Sequence, residues 1–135
     1  MSTEYYSASN EYREMAERVI EEHEDLHWLK MADVRIDFIS STKMKKSKGK
    51  FILGECQLVK EIYKVYVPYD FLIIIYEPNV EGLSYEQLEI VMYHELLHVN
   101  VKDTDGEPQY DVNPHDIEDF RKVIDKYGLD WNQNG

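Results

Sequence analysis

The strongest constraint on the fold comes from the longest apolar run of the chain, Phe71–Tyr76, which contains only six residues. A helix that spans a bilayer needs about 20 apolar residues, so this run is not a membrane anchor. Its isoleucines favour a buried strand, and the turn residues Glu77, Pro78 and Asn79 end it. We therefore expect a sheet with this strand near its centre, and no association with a membrane.

The remaining patterns predict helices around several further strands. A helix should begin at Ser9 or Asn10 and run to about Met31, since its apolar residues recur at helical spacing. Ser84 and Gln87 have the spacing of a capping box, which predicts the start of a second helix that runs to about Val99. The other predicted elements are strands at residues 34–39 and 51–60, pairing that continues over 62–67, a polar segment with Gly106 and Pro108, and a final helix from Asn113 to Gly128.

The order of these elements predicts an α+β fold and a single domain over residues 1–135. The fold consists of an N-terminal helix, a small, mostly antiparallel sheet of three or four strands, a motif-bearing helix and a C-terminal helix. Residues 1–8 and 132–135 are expected to be loose. A chain of 135 residues buries a sizeable core without needing disulfides.

The charge balance argues against binding to nucleic acid through bulk charge, since 15 lysines and arginines oppose 27 acidic residues and leave a net charge of −12. The exception is a predicted loop with Gly49 at its centre and five lysines around it, at Lys43, Lys45, Lys46, Lys48 and Lys50. Such a loop is typical of a solvated hairpin tip, although on an acidic body it could also contact nucleic acid or an acidic substrate. We expect no nucleic-acid partner.

The cysteine content and the first residues indicate a cytoplasmic protein. Cys56 is the single cysteine, so the chain has no internal disulfide and no cysteine-rich zinc ribbon. The first residues lack the basic start and the apolar core of a signal peptide. A lone thiol without an export signal fits a reducing compartment, and Cys56 itself is expected to be a small buried strand residue.

The residues that point to chemistry form an HExxH sequence at positions 94–98, on the second predicted helix. Residues four apart lie on one face of a helix, with Cβ atoms about 5–6 Å apart, so His94 and His98 can bind one zinc ion. Glu95 then lies close to a zinc-bound water, whose pKa zinc lowers to about 7, and can accept its proton. The resulting hydroxide nucleophile and a polarised carbonyl together hydrolyse an amide.

A second HExxH match occurs at residues 23–27 and requires a criterion that separates the two. A catalytic zinc helix lies in the core, so the residues around its histidines should be uncharged. The residues around positions 94–98 satisfy this condition, whereas acidic residues precede and interrupt the earlier match. We therefore interpret His23 and His27 as ordinary helix residues, with His23 partly covered and His27 near the surface.

A catalytic zinc site needs a third protein ligand besides water. The segment directly after the motif lacks the glycine and the histidine that metzincins have there. One candidate is His115, at the start of the last predicted helix, and the other is Glu118, because a downstream helical glutamate is the third ligand in thermolysin-like enzymes. Asp116 and Asp119 either orient an imidazole N–H or favour the positive N-terminus of that helix.

An edge strand could hold an extended substrate over the metal by pairing with it. Residues 51–59 and 70–76 are both candidates for this strand, although the apolar character of the second favours a central position. Tyr110 and Tyr127 are candidates for stabilising an oxyanion, but with eleven tyrosines in the chain each is more often structural.

Several blocks of the sequence together resemble the phage-type metallopeptidase family, which is similar to the SprT-like HExxH zincins. The matching blocks lie at residues 32–38, 54–56, 70–79, 94–99, 115–120 and 127–131, so the resemblance covers most of the chain. It implies a compact zincin-like fold in which His94, His98 and His115 hold zinc and Glu95 is the general base. It also implies an origin in phage or prophage DNA, and therefore the cytoplasm of a bacterial host.

Two functions are consistent with these residues. The first is a zinc-dependent metallopeptidase that hydrolyses an amide bond of a protein or peptide through a metal-activated water. A peptidase that cleaves a repressor is a special case of this function. The alternative is a non-catalytic, zinc-bearing binding module that engages a host or phage protein, which the small size and the acidic body favour. Both functions use Zn²⁺.

Overall fold

A four-stranded sheet, with helices packed against it, forms the centre of the computed structural model, which describes residues 5–113. The strands are β1 (Tyr6–Ala8), β2 (Ile36–Ser41), β3 (Lys46–Ser47), β4 (Lys50–Phe51), β5 (Gly54–Leu58), β6 (Phe71–Tyr76), β7 (Val99–Thr104) and β8 (Glu107–Val112). The α-helices are α1 (Asn10–Glu22), α2 (Trp28–Met31), α3 (Glu77–Val80) and α4 (Tyr85–Leu97), and 3₁₀ helices cover Glu24–Leu26 and Glu61–Val65. The predicted α+β class is confirmed for this part of the chain.

The strand order β1-β2-β6-β5 places the apolar run of the sequence inside the sheet, as predicted. β6 pairs in parallel with β2, where Ile36 is opposite Phe71, and antiparallel with β5, where Gly54 is opposite Ile75. β1 pairs antiparallel with β2, so most of the pairings in this sheet are antiparallel, as expected. β1 and β5 are its edges, while β3–β4 and β7–β8 form separate antiparallel pairs.

The core lies between the sheet and the two long helices. Alternate residues of β6, Phe71, Ile73 and Ile75, are fully buried and pack with both helices in one apolar cluster. The helices contribute Tyr12, Met15, Ala16, Val19 and Ile20 from α1, and Ile90, Val91, Met92, Tyr93 and Leu96 from α4. Each large apolar side chain of this kind stabilises the fold by about 1.5–3 kcal/mol. Because α4 is enclosed by this core, the motif that it carries is buried too.

The predicted continuation of the first helix to Met31 is wrong. α1 ends before His23, which is extended with φ −123°, and the chain then forms the 3₁₀ turn Glu24–Leu26 followed by α2. The ring of His23 stacks on that of Tyr93 with centroids 4.2 Å apart, and the Tyr93 hydroxyl donates to Asp25. These tertiary contacts outweigh helix propensity, and periodicity along the sequence does not reveal them.

The predicted strand pairing over residues 62–67 is also wrong. Most of this stretch lies in the 3₁₀ helix Glu61–Val65. Lys64 Nζ lies 3.1 Å from a carboxylate oxygen of Glu61 and 3.1 Å from one of Asp70. These two ion pairs favour a compact turn over an extended strand.

Two hairpins have turns whose central residues adopt the left-handed backbone conformation. Lys48 and Gly49, with φ of 52° and 78°, join β3 to β4, which confirms a hairpin in the lysine-rich segment. Asp105 and Gly106, with φ of 54° and 81°, join β7 to β8 in the segment that was predicted only as polar. Positive φ at both central residues is what a two-residue hairpin turn requires.

The ends of the chain are described in part. Within the stretch 1–8 that was expected to be loose, Tyr6–Ala8 form the edge strand β1. The C-terminal helix predicted after Asn113 and the loose residues 132–135 lie outside the described residues. Between residues 5 and 113, no helix is long and apolar enough to cross a membrane.

Candidate metal centre

The helix that carries the HExxH motif begins at the predicted capping box. The Gln87 backbone N–H donates to Ser84 Oγ over 3.2 Å, and the Ser84 N–H donates to Gln87 Oε1 over 2.9 Å. These reciprocal bonds satisfy two of the amides that a helix start leaves without partners. The helix ends at Leu97, slightly before the predicted end, because His98 is its C-cap and Val99 already belongs to β7.

The two histidines of the motif converge on one point. His94 and His98 are 5% and 3% exposed, and their Nε2 atoms lie 3.3 Å apart. Their rings are nearly perpendicular, with an interplanar angle of 88°. Two nitrogens that lie 2.0–2.1 Å from a tetrahedral zinc ion are about 3.3 Å from each other, so the observed separation fits one shared ion.

The backbone after β8 orients the second histidine. His98 Nδ1 lies 2.6 Å from the carbonyl oxygen of Asn113, and the Asn113 N–H donates to the His98 carbonyl over 2.6 Å. A carbonyl oxygen only accepts, so Nδ1 carries the proton and the lone pair of Nε2 faces His94. Hydrogen bonds of this kind fix the tautomer and the ring angle of a metal-binding histidine.

Glu95 is buried beside the histidines, with 2% of its surface exposed. Its Oε1 atom has no hydrogen-bond partner within residues 5–113. Burial, together with the negative charge of Glu55, raises the pKa of Glu95 to about 8. A buried carboxylate oxygen without a partner is costly unless a cation or a proton donor lies next to it, so this environment suits a metal site.

Gly54 allows the edge strand β5 to lie directly against Glu95. A Cβ atom at Gly54 would lie 3.3 Å from Glu95 Cγ, 3.2 Å from Ile75 Cδ1 and 3.2 Å from the Ile74 carbonyl oxygen. Its φ is not positive, so the need for glycine is one of space. Sequence reasoning missed this role, although a glycine inside a strand pattern is a known signal of close backbone approach.

The position of β5 decides between the two predicted edge strands. β6 lies inside the sheet, whereas β5, which corresponds to the candidate at residues 51–59, lies at its edge. Cys56 of this strand packs against the core but is only half-buried, whereas a buried residue was expected. Burial, with the charges of Glu95 and Glu55, raises the pKa of the Cys56 thiol.

The earlier HExxH match does not form a comparable pair. His23 is buried and its Nδ1 lies 2.7 Å from the carbonyl oxygen of Val19. His27 is exposed, and its Nε2 lies 2.9 Å from the carbonyl oxygen of Glu21. The prediction that both are helix residues is wrong, because His23 is the C-cap of α1 and His27 the N-cap of α2. His23 is also more buried than expected, whereas His27 lies at the surface as predicted.

The remaining predicted site residues divide between structural positions and positions outside the described range. Five of them lie outside residues 5–113, namely His115, Asp116, Glu118, Asp119 and Tyr127. The third ligand therefore stays a prediction. Tyr110 packs edge-on against Phe71, with ring centroids 6.0 Å apart, and the Lys64 ammonium lies 4.1 Å above its ring. These contacts assign Tyr110 a role in packing.

The donor set as a whole fits a metal ion. Within the described part of the chain, His94, Glu95 and His98 each offer a ligand atom, and these atoms lie within 4.8 Å of one another. Two imidazoles and a carboxylate suit divalent transition metals, zinc among them. The buried Oε1 atom and the oriented lone pair of His98 support the same conclusion.

Comparison with known proteins identifies the family. A family model described as "Putative phage metallopeptidase" matches residues 3–134, which confirms the resemblance found in the sequence. Searches of curated proteins and of solved structures found no match.

Proposed function

The chain belongs to the phage metallopeptidase family, and we propose from this that it is a zinc-dependent peptidase that hydrolyses an amide bond of a protein or peptide. The observation that supports this most strongly is the 3.3 Å separation of the His94 and His98 Nε2 atoms beside the buried Glu95. We place its action in the cytoplasm of a bacterial host, because the family is a phage family.

The proposed zinc ligands are His94 and His98 through Nε2, and His115 as the third, with Glu118 as the alternative. Three protein ligands leave one position for water or substrate, which distinguishes a catalytic zinc site from a structural one. Zinc, when bound, supplies a Lewis acid that polarises the scissile carbonyl and makes water acidic enough to be deprotonated near neutral pH.

Glu95 is the proposed general base and, later, the general acid. Its Oε1 accepts a proton from the attacking water, and the same oxygen then donates this proton to the leaving amine. In the metal-free protein, burial raises the pKa of Glu95 above its usual value, and a carboxylate that binds a proton more tightly is a stronger base. Within residues 5–113 no hydrogen-bond partner competes for Oε1.

The edge strand β5 is the proposed site of substrate pairing. An extended peptide can add to a sheet edge through backbone hydrogen bonds. Because Gly54 of β5 lies against Glu95, a peptide on this edge passes next to the carboxylate. This arrangement supports a protein or peptide as the substrate.

The test compares the same substitution in the two HExxH matches. Glu95→Gln should retain zinc and reduce cleavage of fluorescein-labelled casein by at least about 10²-fold, because a general base contributes about 10²–10⁴-fold. Glu24→Gln, at the equivalent place in the earlier match, whose histidines do not converge, should leave cleavage unchanged. If Glu95→Gln cleaves as fast as the parent, the mechanism is wrong. A parent that binds zinc and cleaves nothing would instead favour the binding module.

A further inference from the structure

Large apolar side chains are exposed where the edge strand β5 ends, and the function proposed above does not use them. We call this group the apolar surface, which consists of Leu58, Ile62, Tyr63, Val65 and Tyr66. The exposed fraction of these side chains ranges from 40% for Leu58 to 89% for Tyr66. These side chains are close together along the chain, and large exposed apolar groups are typical of surfaces to which other molecules bind.

The 3₁₀ helix that carries most of the apolar surface has its charged side chain turned inward. Lys64 is only 15% exposed, and its Nζ lies 3.1 Å from oxygens of both Glu61 and Asp70 and 4.1 Å above the ring of Tyr110. Asp70 is itself 1% exposed and accepts the backbone N–H of Arg35 over 2.9 Å. This anchor fixes the orientation of the segment, so the apolar side chains are presented to solvent without a rearrangement that binding would have to drive.

The side chains of β5 point alternately to its two faces, and this fixes how far the apolar surface lies from the candidate metal centre. Gly54, Cys56 and Leu58 share one face of the strand, and Gly54 is the residue next to Glu95. At a rise of 3.2–3.4 Å per residue, Leu58 lies about 13 Å along the strand from Gly54. A peptide paired with β5, with its scissile bond beside Glu95, therefore reaches the apolar surface with a residue about four positions away.

We propose that the apolar surface binds a large apolar side chain of the substrate, about four residues from the scissile bond. Its occupant is an extended, apolar peptide segment, so the preferred substrates are proteins that expose such segments. The net charge of −12 further disfavours acidic segments. This inference rests on the proposed function, because it takes β5 as the edge that pairs with the substrate.

The test measures peptide binding in a protein that does not cleave. Zinc-loaded Glu95→Gln protein is titrated, by fluorescence anisotropy, into a fluorescein-labelled peptide with a leucine-rich core and into its counterpart with serines instead. The leucine peptide should bind about tenfold more tightly, as expected for burial of one large apolar side chain. A triple variant in the same background, Ile62→Ser, Val65→Ser and Tyr66→Ser, should lose this preference.

A control variant removes three exposed apolar side chains elsewhere in the chain. The substitutions Met31→Ser, Met44→Ser and Tyr85→Ser lie outside β5 and its 3₁₀ helix, at residues that are 88%, 61% and 48% exposed. This control should retain the full preference for the leucine peptide. If the triple variant fails to fold by circular dichroism, Tyr66→Ser alone should still lower the preference by about threefold.

Three results would overturn the inference. The first is equal binding of the two peptides by the parent, and the second is an unchanged preference in the triple variant. The third is a parent that sediments as a dimer and becomes monomeric in the triple variant, since the occupant is then a second copy of the chain. If Glu95→Gln prefers the leucine peptide but the zinc-loaded parent cleaves nothing, the apolar surface is supported and the peptidase is contradicted. Failure of this inference and failure of the proposed function are therefore distinguishable.

Discussion

At the scale of single residues, the burial of Glu95 makes the stability of the metal-free protein depend on pH. Burial and the charge of Glu55 raise its pKa from 4.5 to about 8, so the folded state holds the proton more tightly than the unfolded state. The proton on Glu95 therefore contributes fully to the free energy of unfolding below pH 4.5, and this contribution is lost as the pH rises through about 8. Removing the charge removes this dependence.

We accordingly expect the free energy of unfolding of the metal-free parent to fall between about pH 4.5 and pH 8 relative to that of Glu95→Gln. The difference should reach the order of a few kcal/mol, since each pKa unit corresponds to about 1.4 kcal/mol. Urea unfolding in the presence of a chelator, at a series of pH values, measures it. Parallel pH profiles for the two proteins would show that Glu95 is not the buried acid described here.

Gly54→Ala should destabilise the protein by about 1–3 kcal/mol, because the new methyl group meets the backbone of Ile74 and the side chain of Glu95. It should also lower peptidase activity, since the carboxylate is displaced. The matched control is Gly82→Ala, where a Cβ atom would have nothing within 4 Å. Equal melting temperatures for the two variants in thermal denaturation would contradict the close packing of β5 on α4.

The group of residues that could hold a metal ion was found from the sequence, but the contacts that support this group were not. The spacing of His94 and His98 and the uncharged residues around them are local properties, so the sequence alone separated this motif from the match at 23–27. The role of Gly54 depends on which helix crosses its strand. The role of Asn113 depends on where the β7–β8 hairpin ends. Neither fact is encoded within a few residues of the position concerned.

At the scale of elements, the start of α4 depends on its capping box. Ser84→Ala should lower the free energy of unfolding by about 1 kcal/mol, because it leaves the Gln87 N–H without its acceptor. Ser47→Ala, at an exposed serine of β3, is the control and should change the stability by less than about 0.5 kcal/mol. Chemical denaturation monitored by circular dichroism compares the two, and an equal effect would rule out a specific contribution from the cap.

Elements with strong local signals were predicted, and elements defined by tertiary contact were not. Ser9 caps α1 by accepting the Tyr12 N–H over 3.1 Å, and this start was predicted from residue type. The end of α1 was missed because it depends on the stacking of His23 on Tyr93. β1, β7 and β8 were missed because short or polar strands carry little periodicity, and only their pairing partners define them.

At the scale of the whole molecule, the candidate metal centre brings together separate parts of the chain. α4 supplies His94, Glu95 and His98, β5 supplies the close approach at Gly54, and Asn113 orients His98 from the end of the second hairpin. Because these segments meet only in the folded protein, a bound metal ion stabilises the fold in proportion to its affinity. The metal content therefore reports on the site and on the fold together.

Elemental analysis of zinc in the purified protein and its variants tests the metal centre most directly. We predict one zinc ion per chain in the parent, lost in His94→Ala, His98→Ala and His115→Ala and retained in Glu118→Ala and in the control His23→Ala. Loss in Glu118→Ala but not in His115→Ala would instead indicate a thermolysin-like ligand set. A parent without tightly bound metal, or a parent whose metal survives His94→Ala and His98→Ala, would contradict the zinc site at the HExxH motif.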